Sequence, residues 1–162
     1  MGTTPQARQT LATVTYQGRS PQVWNIPSRL VEVPELRPTN VVRRFTLSQG
    51  MAMMSGMSFL VNGQQFDASR VDSGARLNTV EEWKYENTTG MDHPIHLHIN
   101  PFQVIGSDGK AERAWRDIIN VRRGSKARFR VQFRGYTGKT VQHCHILDHE
   151  DRGMMATVEV TE

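Results

Sequence analysis

All six histidines of this 162-residue chain and its only cysteine fall into two short clusters, His93-Pro94-Ile95-His96-Leu97-His98 and His143-Cys144-His145 followed by His149. A lone histidine is commonly a satisfied core residue, but core packing does not explain six of six gathered around the one cysteine. The clustering demands a fold that brings two distant segments together around metal. A single cysteine also excludes an intramolecular disulfide, so Cys144 is a buried hydrophobe, a reactive thiol or a metal ligand.

The fold class follows from texture. From Val41 onward the chain runs in short stretches rich in β-branched and aromatic residues, which predict strands near 41–48, 57–62, 79–87, 95–105, 118–121, 126–134, 140–145 and 154–160. Turn signals separate them at Asn62-Gly63, Asp72-Ser73-Gly74, Asp108-Gly109, Arg123-Gly124 and Thr137-Gly138. Amphipathic 3.6-residue periodicity is hard to find, so helix should be minor. Eight short strands at this spacing predict an all-β chain, an antiparallel Greek-key sandwich or barrel. Residues 1–40 read differently, with one strand expected near Leu11–Tyr16 and then a stretch punctuated by Pro21, Pro27, Pro34 and Pro38. They are expected to form a linker-like segment packed on a body of residues 41–162.

Strand geometry sorts the candidate ligands, because residues two apart share a face. His96 and His98 point one way, and His143 and His145 share a face, while Cys144 between them points to the other. The thiolate therefore needs partners on its own side, and the candidates are His93, His149 and Met154 in the loop after it. Two imidazoles, one thiolate and a weak thioether form the donor set of a blue-copper electron-transfer site. Zinc is the rival metal, but it prefers closure by four strong ligands, and a thioether adds little for it. The adjacent Met155 faces the other way if the last strand begins here, so Met154 is preferred.

These two motifs resemble those of the C-terminal cupredoxin domain of laccase-like bacterial multicopper oxidases, and the chain is read as that third domain standing alone. The likeness is carried by His93 to His98 and by His143-Cys144-His145-Ile146-Leu147-Asp148-His149-Glu150-Asp151-Arg152-Gly153-Met154. It extends more loosely through Phe59-Leu60-Val61-Asn62-Gly63, Val80-Glu81-Glu82-Trp83 and Trp115-Arg116-Asp117. The resemblance implies a cupredoxin fold and type 1 copper on His93, Cys144, His149 and Met154. It also implies that His96, His98, His143 and His145 are half the ligands of a trinuclear copper cluster that reduces dioxygen. The other half comes from further His-x-His pairs, and this sequence holds no histidine to supply them. One copy is therefore expected to transfer single electrons with a small-molecule or protein donor and acceptor. Oxidase activity would need a second copy or another chain, and a non-redox zinc or copper domain is the remaining alternative. Two His-x-His pairs per chain also allow a symmetric dimer with an additional copper or zinc site between subunits.

Several classes are excluded on composition and patterning. With 37% hydrophobic and 22% charged residues the chain has a globular composition, and no apolar run approaches the ~18 residues of a membrane span. The first thirty residues carry Gln, Thr and Arg where a secretory signal would need an apolar stretch, so the chain is expected to be unsorted or already processed, and the family resembled is typically periplasmic or extracellular. The basic cluster Arg122, Arg123, Lys126, Arg128 and Arg130 reads as a solvated strand face, since no nucleic-acid reader motif accompanies it. Met51, Met53, Met54 and Met57 read as packing of a loop or strand edge. Trp83 and Trp115 are expected in the sandwich core, Asp117 in a supporting role, and Asp148, Glu150 and Asp151 as an acidic loop around His149.

Overall fold

A computed structural model of the chain describes residues 10–18, 25–28, 31–52 and 56–162, and divides it into two compact units, Met1–Glu32 and Val33–Glu162. In the first unit the described residues carry no regular structure. The strand expected at Leu11–Tyr16 is absent, and Leu11 and Tyr16 are almost fully exposed, with no neighbouring strand among the described residues to satisfy their backbone.

The second unit is all-β. Its elements are β1 (Val42–Ala52), β2 (Gly56–Val61), β3 (Ser73–Arg76), β4 (Val80–Asn87), β5 (His93–Leu97), β6 (Phe102–Val104), β7 (Ile118–Val121), β8 (Lys126–Gln132), β9 (Gly138–Cys144), a five-residue helix α1 (Leu147–Asp151) and β10 (Met155–Thr161). Two five-stranded sheets result, ordered β2-β1-β4-β8-β6 and β3-β10-β9-β5-β7. They are not wholly antiparallel as expected, since β1 runs parallel to β4 and β3 parallel to β10.

Alternation along the strands builds the core between the sheets. Trp83, Tyr85, Phe45, Phe129 and Phe102 all face inward, with ring centroids 4.8 Å apart for Phe45 and Trp83 and 3.9 Å for Phe102 and Phe129. Trp115 departs from the expectation: it is half-buried, and its ring is covered by the Arg134 guanidinium at 5.5 Å. Arg130 departs too, being buried rather than solvated. Its guanidinium donates to the Leu36 carbonyl at 3.0 Å, and the buried Gln103 amide bonds both the Leu36 N–H and the Pro34 carbonyl, so residues 34–36 are held as a strap over these side chains.

The expected strand at 95–105 is two strands in different sheets. The chain leaves β5 at Leu97, turns through Ile99 at φ 70°, and enters β6 of the opposite sheet at Phe102. A β-branched residue in the left-handed region is held there only by its surroundings. The buried Asn100 supplies part of that hold, its N–H donating to the His98 carbonyl and its side chain accepting from the Arg134 N–H.

Candidate metal centre

Register decides which ligand faces where. Strands β5 and β9 are antiparallel neighbours, with Ile95 opposite Cys144 and His96 opposite His143. Directly opposed residues share a face, so Cys144 points into the core beside Ile95, and His96 and His143 point outward together. His93, two positions before Ile95, lies on the inner face and is fully buried. His149 reaches the same place from α1. Met154, the residue before β10, is fully buried, whereas Met155 pairs opposite His143 on the other face and is half-buried.

The inner group is compact. His93 Nδ1 and His149 Nδ1 lie 3.1 Å apart, and Cys144 Sγ lies 3.7 Å from the first and 3.6 Å from the second. A point equidistant from these three atoms is about 2.0 Å from each, the length of a transition-metal bond to imidazole and a little short of one to thiolate. The donor set therefore fits a metal ion in a trigonal arrangement. Met154 is tied to the group through its backbone, its carbonyl accepting from the Cys144 N–H at 2.9 Å and its N–H donating to the His149 carbonyl at 2.9 Å.

Residues with no sequence signal of their own orient these ligands. Thr89 Oγ1 sits 2.7 Å from His93 Nε2 and also contacts Asn87 Oδ1 at 2.9 Å and the Met91 carbonyl at 3.1 Å. The last two can only accept, so the hydroxyl proton goes to one of them and the hydroxyl oxygen accepts from His93 Nε2–H. That leaves His93 Nδ1 bare and aimed at Cys144. Asn87 is itself fixed, its amide donating to the Met91 and Val121 carbonyls. Phe59 stacks on the His149 ring at 4.0 Å and closes the other side. Thr89→Val should therefore lower metal affinity by roughly 10- to 100-fold, the usual effect of removing such a partner, whereas Thr89→Ser should retain it; a competitive chelator titration of both variants checks this.

Burial keeps the metal-free group neutral. It lowers His93 to about 4, with His149 nearby adding to the effect, and pushes the Cys144 thiol up to about 11. His149 is also lowered, mainly by burial. The unfolded chain binds a proton at His93 near pH 6.5 and the folded one only near 4, so stability of the metal-free protein should fall as pH drops through that window. At the other end the unfolded thiol ionises from about pH 9 and the folded one near 11, so stability should fall again as pH rises through that range. Denaturant midpoints of metal-free protein at pH 5, 7.5 and 10 should be highest at 7.5, and metal binding there should release about one proton, from Cys144.

The outer group is built on the opposite face of the same strands. His98 Nε2 and His143 Nε2 face each other at 3.0 Å, the separation given by two ~2.0 Å bonds to one ion at nearly a right angle. His96 Nδ1 lies 2.9 Å from the Asp117 carbonyl, and His143 Nδ1 lies 3.1 Å from both the Cys144 carbonyl and the Glu150 carboxylate. Both Nδ1 atoms thus donate, which leaves both Nε2 atoms bare. His96, His98 and His143 bring their donor atoms within 4.8 Å of one another. The exposed His145 stands outside that trio, its ring 5.7 Å from the rings of His96 and His143. Met51 is strongly exposed and Met57 partly so, directly opposite each other in the β1-β2 hairpin, while Met53 and Met54 lie outside the described residues.

Comparison with known proteins agrees with the donor chemistry. The family model described as "Multicopper oxidase" matches residues 36–162. The chain is 41% identical over 110 residues to a multicopper oxidase of Staphylococcus aureus, covering 63% of this chain and 24% of that protein. It is 37% identical over 123 residues to a laccase of Haloferax volcanii, covering 71% of this chain and 21% of that one. A solved multicopper oxidase of Campylobacter jejuni superposes with a TM-score of 0.70 at 33% identity, over 82% of this chain and 32% of the other. The chain thus spans about a quarter of the length of the curated relatives it matches.

Proposed function

The chain belongs to the multicopper oxidase family, as a cupredoxin-type domain, and on that premise we propose that His93, Cys144, His149 and Met154 hold a type 1 copper for one-electron transfer. The observation that carries this reading is the buried triangle of two imidazole nitrogens and one thiol sulfur, with a buried thioether following in the same loop. Copper held by such a set exchanges single electrons between Cu(II) and Cu(I). The protein's part is to keep the donors in one arrangement for both states. Thr89 fixes the tautomer of His93, Phe59 fixes the plane of His149, and the Cys144 N–H bonded to the Met154 carbonyl fixes the two ends of the ligand loop against each other.

The outer group is proposed as half of a second copper site. Five of the six histidines of the sequence lie in the two groups and the sixth, His145, stands beside the outer one, so further imidazoles come from outside it, either another domain or a second copy of this chain. Cys144 is joined to His143 and His145 by backbone, which places the two groups a few bonds apart. Reduction of dioxygen is proposed only for an assembly that completes the outer group. Electron donors are expected to be small molecules or proteins.

Titrating metal-free protein with Cu(II), while recording visible absorption, copper per chain and oligomer mass on the same samples, tests this. Intense blue or green colour saturating at one copper per monomer is the expected result. Colour with two or more coppers per chain in an oligomer would mean that copies complete the outer group for one another. A colourless protein at saturation would overturn the type 1 assignment.

A further inference from the structure

On the outer face of the sheet β2-β1-β4-β8-β6, away from both histidine groups, register sets three cations in one row across three strands. Arg44 of β1 lies directly opposite Lys84 of β4, and Lys84 lies directly opposite Arg128 of β8. Like charges directly opposite each other destabilise a sheet. Lys126 stands in the next outward row of β8, opposite Glu86. These residues line a groove of about 510 Å³, walled on one side by the turn at Ile105, Gly106 and Ser107. Four cations and one acid line it.

Two of the cations have neighbouring acids, Lys84 with Glu82 at 3.2 Å and Lys126 with Glu86 at 3.2 Å. Arg128 is oriented rather than neutralised, its guanidinium donating to the Gly106 carbonyl at 3.0 Å. The exposed Arg44 makes no ion pair among the described residues. At the ~4.8 Å spacing of neighbouring strands the row spans about 10 Å, and Lys126 lies about 7 Å further along β8. A single carboxylate meets one of these cations. A compact ion with several anionic oxygens meets three.

We propose that this groove binds a small multivalent oxyanion, a polycarboxylate or polyphosphate, through Arg44, Lys84, Arg128 and Lys126. The volume suits a ligand of that size, within the ~300–1,000 Å³ of small-molecule sites, and the two guanidiniums at the ends of the row recognise paired oxygens in a fork. The site is independent of copper.

Trimesate is the probe, because its three carboxylates are held apart by the benzene ring and cannot converge on one metal ion, so copper is not stripped from the loaded protein. Calorimetry at low salt should give saturable 1:1 binding, strongest for trimesate, weaker for isophthalate and weakest for benzoate, and about fivefold or more weaker at 200 mM than at 20 mM salt. Amide shift changes on saturation should centre on residues 105–107 and 126–128. The double variant Arg44→Gln, Arg128→Gln should bind trimesate at least about tenfold more weakly. The control Arg122→Gln, Arg123→Gln removes the same charge elsewhere and should stay within about twofold. No saturable binding, equal affinity for all three acids, or an equal loss in the control would overturn the proposal, the last by reducing it to net charge. The copper colour should be unchanged in every variant, so a failure here is separable from a failure of the type 1 assignment.

Discussion

Replacing Cys144 by serine is expected to abolish the colour of the copper-loaded protein and to weaken copper binding by a few hundredfold to several thousandfold. The size follows from the donor count. Closed metal sites built from a few strong protein ligands bind with roughly 10–16 kcal/mol, so removing one of three strong donors should cost roughly 3–5 kcal/mol. The fold should survive, because serine nearly matches cysteine in shape and fits the same buried space. Circular dichroism of the metal-free variant and a chelator competition separate the two effects. The matching control is the double variant His96→Ala, His98→Ala. Its substitutions lie on the outward face of β5 and the turn after it, with Leu97 between them pointing into the core, so colour should persist at one copper per chain. A folded double variant without colour would show that the division of histidines between the two faces is wrong.

That division was legible because it depends only on parity. Once the two clusters are taken as strands, alternation sends Cys144 one way and His143 the other, and the observed pairing of Ile95 with Cys144 and of His96 with His143 carries out the same rule. Most strands were legible for the same reason, since their β-branched and aromatic runs end at turn residues. Failures occurred where tertiary pairing, not local pattern, makes the element. Strand β3 is Ser73-Gly74-Ala75-Arg76, which reads as a turn and becomes a strand by pairing with β10. The apolar run at 95–105 reads as one strand. Its break at Ile99 is signalled only by the Asn100-Pro101 pair, where the residue before proline is restricted. The apolar residues of Leu11–Tyr16 read as a strand but pair with no strand among the described residues.

The orienting residues were not legible at all. Thr89 and Asn87 sit at the end of β4 and in the loop after it, where a polar pair is ordinary, and their bearing on His93 exists only because β5 folds back past them. Glu150 reads as one more acid beside His149, yet its carboxylate meets His143 on the other face of β9. A ligand can be recognised from its own chemistry, but an orienting residue only from its distance to the ligand.

Gly153 shows how tightly the ligand loop is drawn, and Gly153→Ala should remove much of the metal site together with a large part of the protein's stability. Its φ is +107°, outside what an L side chain readily adopts, and a Cβ there would lie 2.9 Å from Gln65 Cβ and Cγ and 3.2 Å from Gln65 Cα. Gln65 cannot easily retreat, because its side-chain amide donates to the Arg152 carbonyl at 3.1 Å and the next residue, Phe66, donates its N–H to the Gly153 carbonyl at 3.1 Å. Phe59, the residue stacked on His149, also donates its N–H to the Arg152 carbonyl. Moving Gly153 therefore moves His149 on one side and Met154 on the other. Backbone strain and the clash together should cost about 2–4 kcal/mol, a large share of the roughly 5–15 kcal/mol that holds a domain of this size. Gly124→Ala is the comparison. Its φ of +62° is compatible with a left-handed turn and nothing lies within 4 Å of its would-be Cβ, so it should lose only about 1 kcal/mol and keep its copper. Denaturant midpoints and copper stoichiometry for the two variants check both statements. Equal losses would mean that the ligand loop is not pinned by Gln65, and that copper itself, rather than the packing of β2 against the loop, sets the positions of His149 and Met154.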